Sequence, residues 1–235
     1  MNAQMMTDRI ADPKWKWLYK IGGAAALLSV VFFPIQILVF IISPPPTTVT
    51  GWFTLFQNNR LIGLLDLDLL LVVDQVLAAL MFIALYAALR RVSESFLVIG
   101  TTLALFSTVL FISANPAFAM LSLSDQFAAA ATAAQRAALL SAGQTLLVIW
   151  QGTAFHTSYI IGSIGTIIIP AVMLRSRVFG KAAGYLGILA NVIALGLYVP
   201  KIGVYISVFS VVFLWIWYIL IARGLFNLGQ STEDN

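Results

Sequence analysis

There is no cysteine in this chain, only one histidine, and very little charge: Asp, Glu, Lys and Arg make up 9% of 235 residues. Without cysteine there is no disulfide framework, no thiolate nucleophile and no Cys-ligated zinc or iron–sulfur centre. An ordinary soluble domain is about one quarter charged, so this polar complement is too small to cover a water-soluble globule of the same length. What fills the space is apolar, 61% of the chain. The expected partner is therefore the lipid bilayer, and one membrane domain covering residues 1–235 is the natural count. The net charge of +4 does not point to nucleic acid. The basic residues stand singly or in small groups between apolar segments, which is the placement of topology anchors.

Six stretches meet the requirement of about 20 predominantly apolar residues. They predict an all-α, polytopic helical bundle with spans at about 18–43, 61–90, 96–122, 152–175, 182–199 and 202–223. Lys14, Lys16 and Lys20 precede the first span as they would a signal peptide. Its apolar core is too long for one, and no small-x-small site precedes Pro44-Pro45-Pro46. An uncleaved helix stopped by three residues without backbone donors is expected. The basic residues fall unevenly: Arg9, Lys14, Lys16 and Lys20 in the first tail, Arg90 and Arg91, then Arg175, Arg177 and Lys181, and finally Arg223. The other connections hold Arg60, Arg136 and Lys201 alone. The positive-inside rule then puts both termini on the cytoplasmic side of a cell membrane. Trp15, Trp17, Trp52 and Trp150 sit near the expected interfaces, as an aromatic belt would. Two outer segments are more than loops. Residues 51–56 are aromatic and expected at the outer interface. Residues 125–141 are Ala-rich and expected as a helix with Ser124 as its N-cap, either separate or running through Gln144 and Gln151 into the fourth span.

Between Arg60 and Arg90 an apolar stretch carries Asp66, Asp68 and Asp74. Carboxylates in a spanning helix are costly and are functional-site candidates by default. On one continuous helix Asp74 lies about 24 Å from Arg90, and Asp68 and Asp66 about 33 and 36 Å from it. That depth excuses Asp66 and Asp68 as residues at a wet boundary, paired with Arg60 or Lys201. Asp74 has no such excuse and must pair, hydrogen-bond or be protonated. On the same helix Gln75 shares a face with Asp68, while Asp74 is rotated by about 120°. Other helices offer polar residues at a similar level: His156 opening the fourth span, Asn115 before Pro116, and Gln144 and Gln151. Asn191 lies nearer the midplane. The candidate pocket is thus Asp74, His156, Asp66, Asp68, Gln75, Asn115 and Asn191, opening outward. A lone histidine in apolar surroundings is more often a hydrogen-bonded structural residue. Asp66, Asp68 and His156 make three formal zinc donors, but there is no HxxxH or HExxH spacing, so neither a metal nor a cofactor is assigned. No GxSxG, Walker or GxGxxG motif occurs; Gly180 and Gly184 form a small-xxx-small pair at a helix end.

Residues 60–92, RLIGLLDLDLLLVVDQVLAALMFIALYAALRRV, and 155–192 resemble a bacterial six-helix membrane family known as domain of unknown function 4386. The resemblance rests on Arg60, on Asp66 or Asp68 with Asp74 following, and on Leu85-Tyr86. It continues in His156-Thr157-Ser158-Tyr159-Ile160-Ile161-Gly162 and in Phe179 with Gly184. Thr157 stands where the family often has Gly. The resemblance implies the six-helix topology, singles out Asp74 and His156, and brings no activity with it.

Three functions follow as expectations. The first is a small-solute or cation/proton carrier, or a sensor, with a small-molecule ligand in the outward polar pocket. Against it, no paired broken helices or inverted repeat of the transporter kind is visible in the sequence. The second is an intramembrane enzyme acting on a lipid or quinone, with Asp74 and His156 as acid and base within about 3 Å of each other. The third is a structural or assembly protein whose polar residues hold helices together. The sequence leaves the oligomeric state open.

Overall fold

A computed structural model of the chain describes residues 12–231; Arg9 lies outside them. The described residues are helical, with no strand among them. In chain order the helices are α1 (Lys16–Ile42), α2 (Val49–Asn58), α3 (Arg60–Asp66), α4 (Leu69–Leu89) and α5 (Glu94–Ala114). They continue as α6 (Ala117–Ala129), α7 (Ala133–Trp150), α8 (Thr153–Met173), α9 (Lys181–Ala194) and α10 (Gly203–Ser231). Six helical stretches are long and apolar enough to cross a membrane: Pro13–Ile42, Leu69–Leu89, Glu94–Ala129, Ala133–Met173, Lys181–Tyr198 and Gly203–Gln230.

The stretches differ from the expected spans where the backbone is interrupted. The second does not run from 61 as one helix, because the chain leaves helical geometry at Leu67 and Asp68. The third and fourth are longer than expected, each built from two helices: α5 with α6 across Asn115-Pro116, and α7 with α8 across Gln151-Gly152. Helix α1 contains Pro34 and stops before the triple proline, with Ser43 N–H still bonded to Val39 O at 2.8 Å.

The chain divides into two compact units. The first comprises the described residues up to Val31, with Val76–Val109 and those from Ser158 onward. Its interior holds Tyr19, Met81, Leu85, Leu97, Met173, Trp217 and Ile221. Small residues let its helices approach closely, the usual device where lipid gives apolar side chains no reason to prefer each other. A Cβ added to Gly165 on α8 would lie 2.6 Å from Gly100 O and 2.8 Å from Ala104 N, both on α5. Of the small-xxx-small pair, Gly184 is pressed against Leu174 and Pro170, whereas Gly180 faces open space. At the start of α1, Asp12 takes ion pairs from Arg90 at 3.1 Å and Arg91 at 3.7 Å, and the Arg90 guanidinium lies 5.5 Å from the Trp15 ring centre.

The second unit comprises Phe32–Gln75 and Leu110–Thr157. Residues 51–56 belong to α2, which Thr48 opens by accepting the Gly51 N–H at 3.1 Å. Val49, Trp52, Phe53 and Phe56 recur at helical spacing, and that face packs with Leu67, Ala117 and Met120. Trp52 is therefore a core residue and not part of an aromatic belt; its ring stands edge-on to Trp150 with centres 6.3 Å apart. The expected 125–141 helix is two helices. Helix α6 runs on to Ala129, and α7 starts at Ala133 behind a capping box of Thr132 and Gln135. Ser124 is no N-cap: it lies inside α6 and donates its hydroxyl to Phe53 O at 2.9 Å.

Candidate functional site at a junction of broken helices

All three interruptions fall in the second unit, and hydrogen bonds tie them together. Helix α3 ends at Asp66, and Leu67 N–H turns back to Gly63 O and Leu65 O. Asp68 takes φ 61°, a left-handed conformation that Asp tolerates better than most residues, and α4 then starts afresh. The Leu67 carbonyl set free by this turn accepts Asn115 Nδ2 at 2.6 Å. Asn115 uses its Oδ1 to take the Ala117 N–H at 3.0 Å, so one side chain closes the first break and starts α6 beyond the second. At the third break the Trp150 side chain donates to the Asp68 carboxylate. Three helix interruptions thus gather around Asp66 and Asp68.

Helix α1 supplies the remaining walls. Gln36 Nε2 donates to Leu65 O at 3.1 Å, and Ser43 Oγ donates to Asp66 Oδ2 at 3.0 Å. Gln36 is 3% exposed and Asp66 0%. Gln36 Oε1 and Asp66 Oδ1 are buried with no hydrogen-bond partner. The expected pairing of Asp66 with Arg60 is not what the structure shows. The carboxylate is enclosed, and Arg60 reaches Asp125 at 2.9 Å on the exposed face instead.

Asp66 and Asp68 stand outside the Leu69–Leu89 stretch. Burial raises the Asp66 carboxyl above its ordinary range, against the Ser43 hydrogen bond. Burial likewise pushes Asp68 up to about 7, opposed by the Trp150 hydrogen bond and reinforced by the charge of Asp66.

The sequence candidates thus divide. Asp66, Asp68 and Asn115 meet at the junction. The face relation of Asp68 with Gln75 and Asp74 assumed a continuous helix, and the break between α3 and α4 removes that premise. Asp74 is buried on α4 and Gln75 half-buried beside it, whereas His156 is exposed on the first turns of α8, its ring edge-on to Phe155. Asn191 belongs to the first unit, where it joins two helices. Its Nδ2 donates to Gly187 O at 2.8 Å and Thr166 O at 3.2 Å, and its Oδ1 accepts from the Thr166 hydroxyl. Among the described residues no three His, Asp or Glu side chains group as metal ligands. Gln36, Ser43 and the bonding role of Trp150 were missed. Gln36 had a signal, as the lone polar side chain in the run FFPIQILVFII.

Comparison with known proteins finds no matching family model, no matching curated protein and no matching solved structure.

Proposed function

We propose that this multi-pass membrane protein is a carrier or sensor of a proton or small cation, which it binds at the junction of its broken helices. The observation that carries the reading is the enclosed Asp66 carboxylate, with one oxygen lacking a partner, beside a helix break. The helix breaks at Leu67 and Asp68, directly after this carboxylate, and discontinuous helices are a setting in which ion-coupled transporters build their sites. An ionisable group in such surroundings earns its place by binding something. A second reading, an intramembrane enzyme, would rest on Asp74, buried on α4, and His156, exposed on the first turns of α8, as its acid and base. The resemblance to domain of unknown function 4386 is compatible with the six-helix reading and carries no activity.

We place both termini in the cytoplasm of a cell membrane, on the basic residues at 14–20, 90–91 and 175–181. The natural absence of cysteine makes this easy to test: Thr132→Cys should react with a membrane-impermeant thiol reagent from outside intact cells, and reaction only after lysis would reverse the orientation. The function itself is tested in reconstituted vesicles holding a pH-sensitive dye, alongside protein fluorescence. Proton-linked flux or a pH-linked fluorescence change that Asp66→Asn abolishes is the expected result. Vesicles that behave like empty ones, with fluorescence unmoved by pH or alkali ions, would refute it.

A further inference from the structure

We infer that the species bound at the junction is a proton on Asp66, accepted by Gln36 Oε1, and not a metal cation. This rests on the carrier-or-sensor reading and narrows its ligand. Gln36 Oε1 and an ionised Asp66 Oδ1 can only accept hydrogen bonds. Both belong to side chains more than nine-tenths buried, and both lack a donor. Gln36 is fastened through its Nε2 to the carbonyl of Leu65, the residue adjoining Asp66. Two enclosed acceptors held at adjacent residues are short of one hydrogen. A proton taken up from water by the Oδ1 lone pair forms one O–H bond and breaks none in the protein. It turns Oδ1 into a donor, gives the amide oxygen its partner and removes the buried charge.

A metal cation fits the same oxygens poorly. Hard cations take about six oxygen ligands. The carbonyls released by the helix break are already engaged: Leu65 O accepts Gln36 Nε2 and Asp68 N–H, and Leu67 O accepts Asn115 Nδ2. Asp66 Oδ2 is taken by Ser43. The two oxygens left over are too few for a coordination shell and enough for one proton.

The charged surroundings agree. Within this unit neither the α1 segment nor α2 carries a titratable side chain. On α3 and α6, Arg60 and Asp125 neutralise each other, and on α7 Arg136 lies 5.6 Å from the Phe127 ring centre. Asp74 on α4 and His156 on α8 complete the set, leaving Asp68 as the group whose charge couples to that of Asp66.

The test is infrared difference spectroscopy of the full chain in lipid, titrated across the pH range in which it stays folded, in an Asp68→Asn background that removes the other raised carboxyl. The background chain should show the carbonyl band of a protonated acid; Asp66→Asn should abolish it, and Asp66→Glu should shift it. Gln36→Met should lower its titration midpoint by about one unit, the worth of one hydrogen bond to the protonated form. Sodium and potassium should leave the band intact. No band sensitive to residue 66, a midpoint unmoved in Gln36→Met, or bleaching of the band by an alkali ion at fixed pH would each overturn the inference. An Asp66 acid band in a protein that neither passes protons nor responds to them would end the carrier-or-sensor reading alone. Alkali-ion flux without the band would end this inference alone.

Discussion

The two units handle buried polar groups in opposite ways. In the first, Asn191 spends both ends of its amide on α8 and α9. Its enclosed groups without a partner include the Tyr19, Ser29 and Thr101 hydroxyls and the Trp217 indole, all of which carry a hydrogen of their own. In the second, the enclosed atoms at Gln36 and Asp66 are pure acceptors, and only something arriving with a hydrogen or positive charge can satisfy them. The first unit closes its helices on glycines such as Gly165; the second breaks three helical stretches and ties them with side chains. The unpartnered groups of the first unit can each donate, so none of them calls for a proton. The second leaves two enclosed acceptors short of a donor beside a helix break, which is what the proposed proton site requires.

This contrast can be attacked by substitution, with stability read from thermal unfolding in detergent or lipid. Trp52→Ala should have the largest effect, about 4 kcal/mol, because it empties the centre of the apolar cluster that holds the junction together. Gly165→Val should cost about 3 kcal/mol by forcing α5 and α8 apart, and it should do so equally at every pH, since no titrating group is involved. Asn115→Ala removes the donor to a buried carbonyl and the cap of α6. A loss of about 2 kcal/mol is expected, together with altered proton response, whereas a purely scaffolding role would change stability alone. Arg60→Ala should cost less than about 0.5 kcal/mol, because its pair with Asp125 is exposed; a large loss would mean that Arg60 serves Asp66 after all.

The six apolar runs were legible because lipid demands length and hydrophobicity, and both can be counted in a sequence. The break at Asn115-Pro116 was half legible, since proline announces the missing N–H. The break at Leu67-Asp68 was not. The run LLDLDLL reads as continuous helix, and the turn is held by Asn115 and Trp150, far along the chain. The same long-range bonds moved the weight of the site. Depth along an uninterrupted helix made Asp74 the strongest candidate and excused Asp66; the scale still holds for Asp74 on unbroken α4, but it no longer reaches Asp66 once the helix ends there. Ser43 and Gln36 then enclose the carboxylate from a helix that no local pattern linked to it.

The most direct test of the central claim, that the junction carboxyls are held as neutral acids, is the melting temperature as a function of pH. A carboxyl raised in the folded state favours folding fully below its ordinary value near 3.8, and that contribution is lost as pH rises through the folded value, about 7 for Asp68. The wild-type chain should therefore melt at progressively lower temperature as pH rises through that window, and the Asp66→Asn, Asp68→Asn double variant should lose most of that slope. A wild-type melting temperature that stays level or climbs, or a slope undiminished in the double variant, would contradict the account.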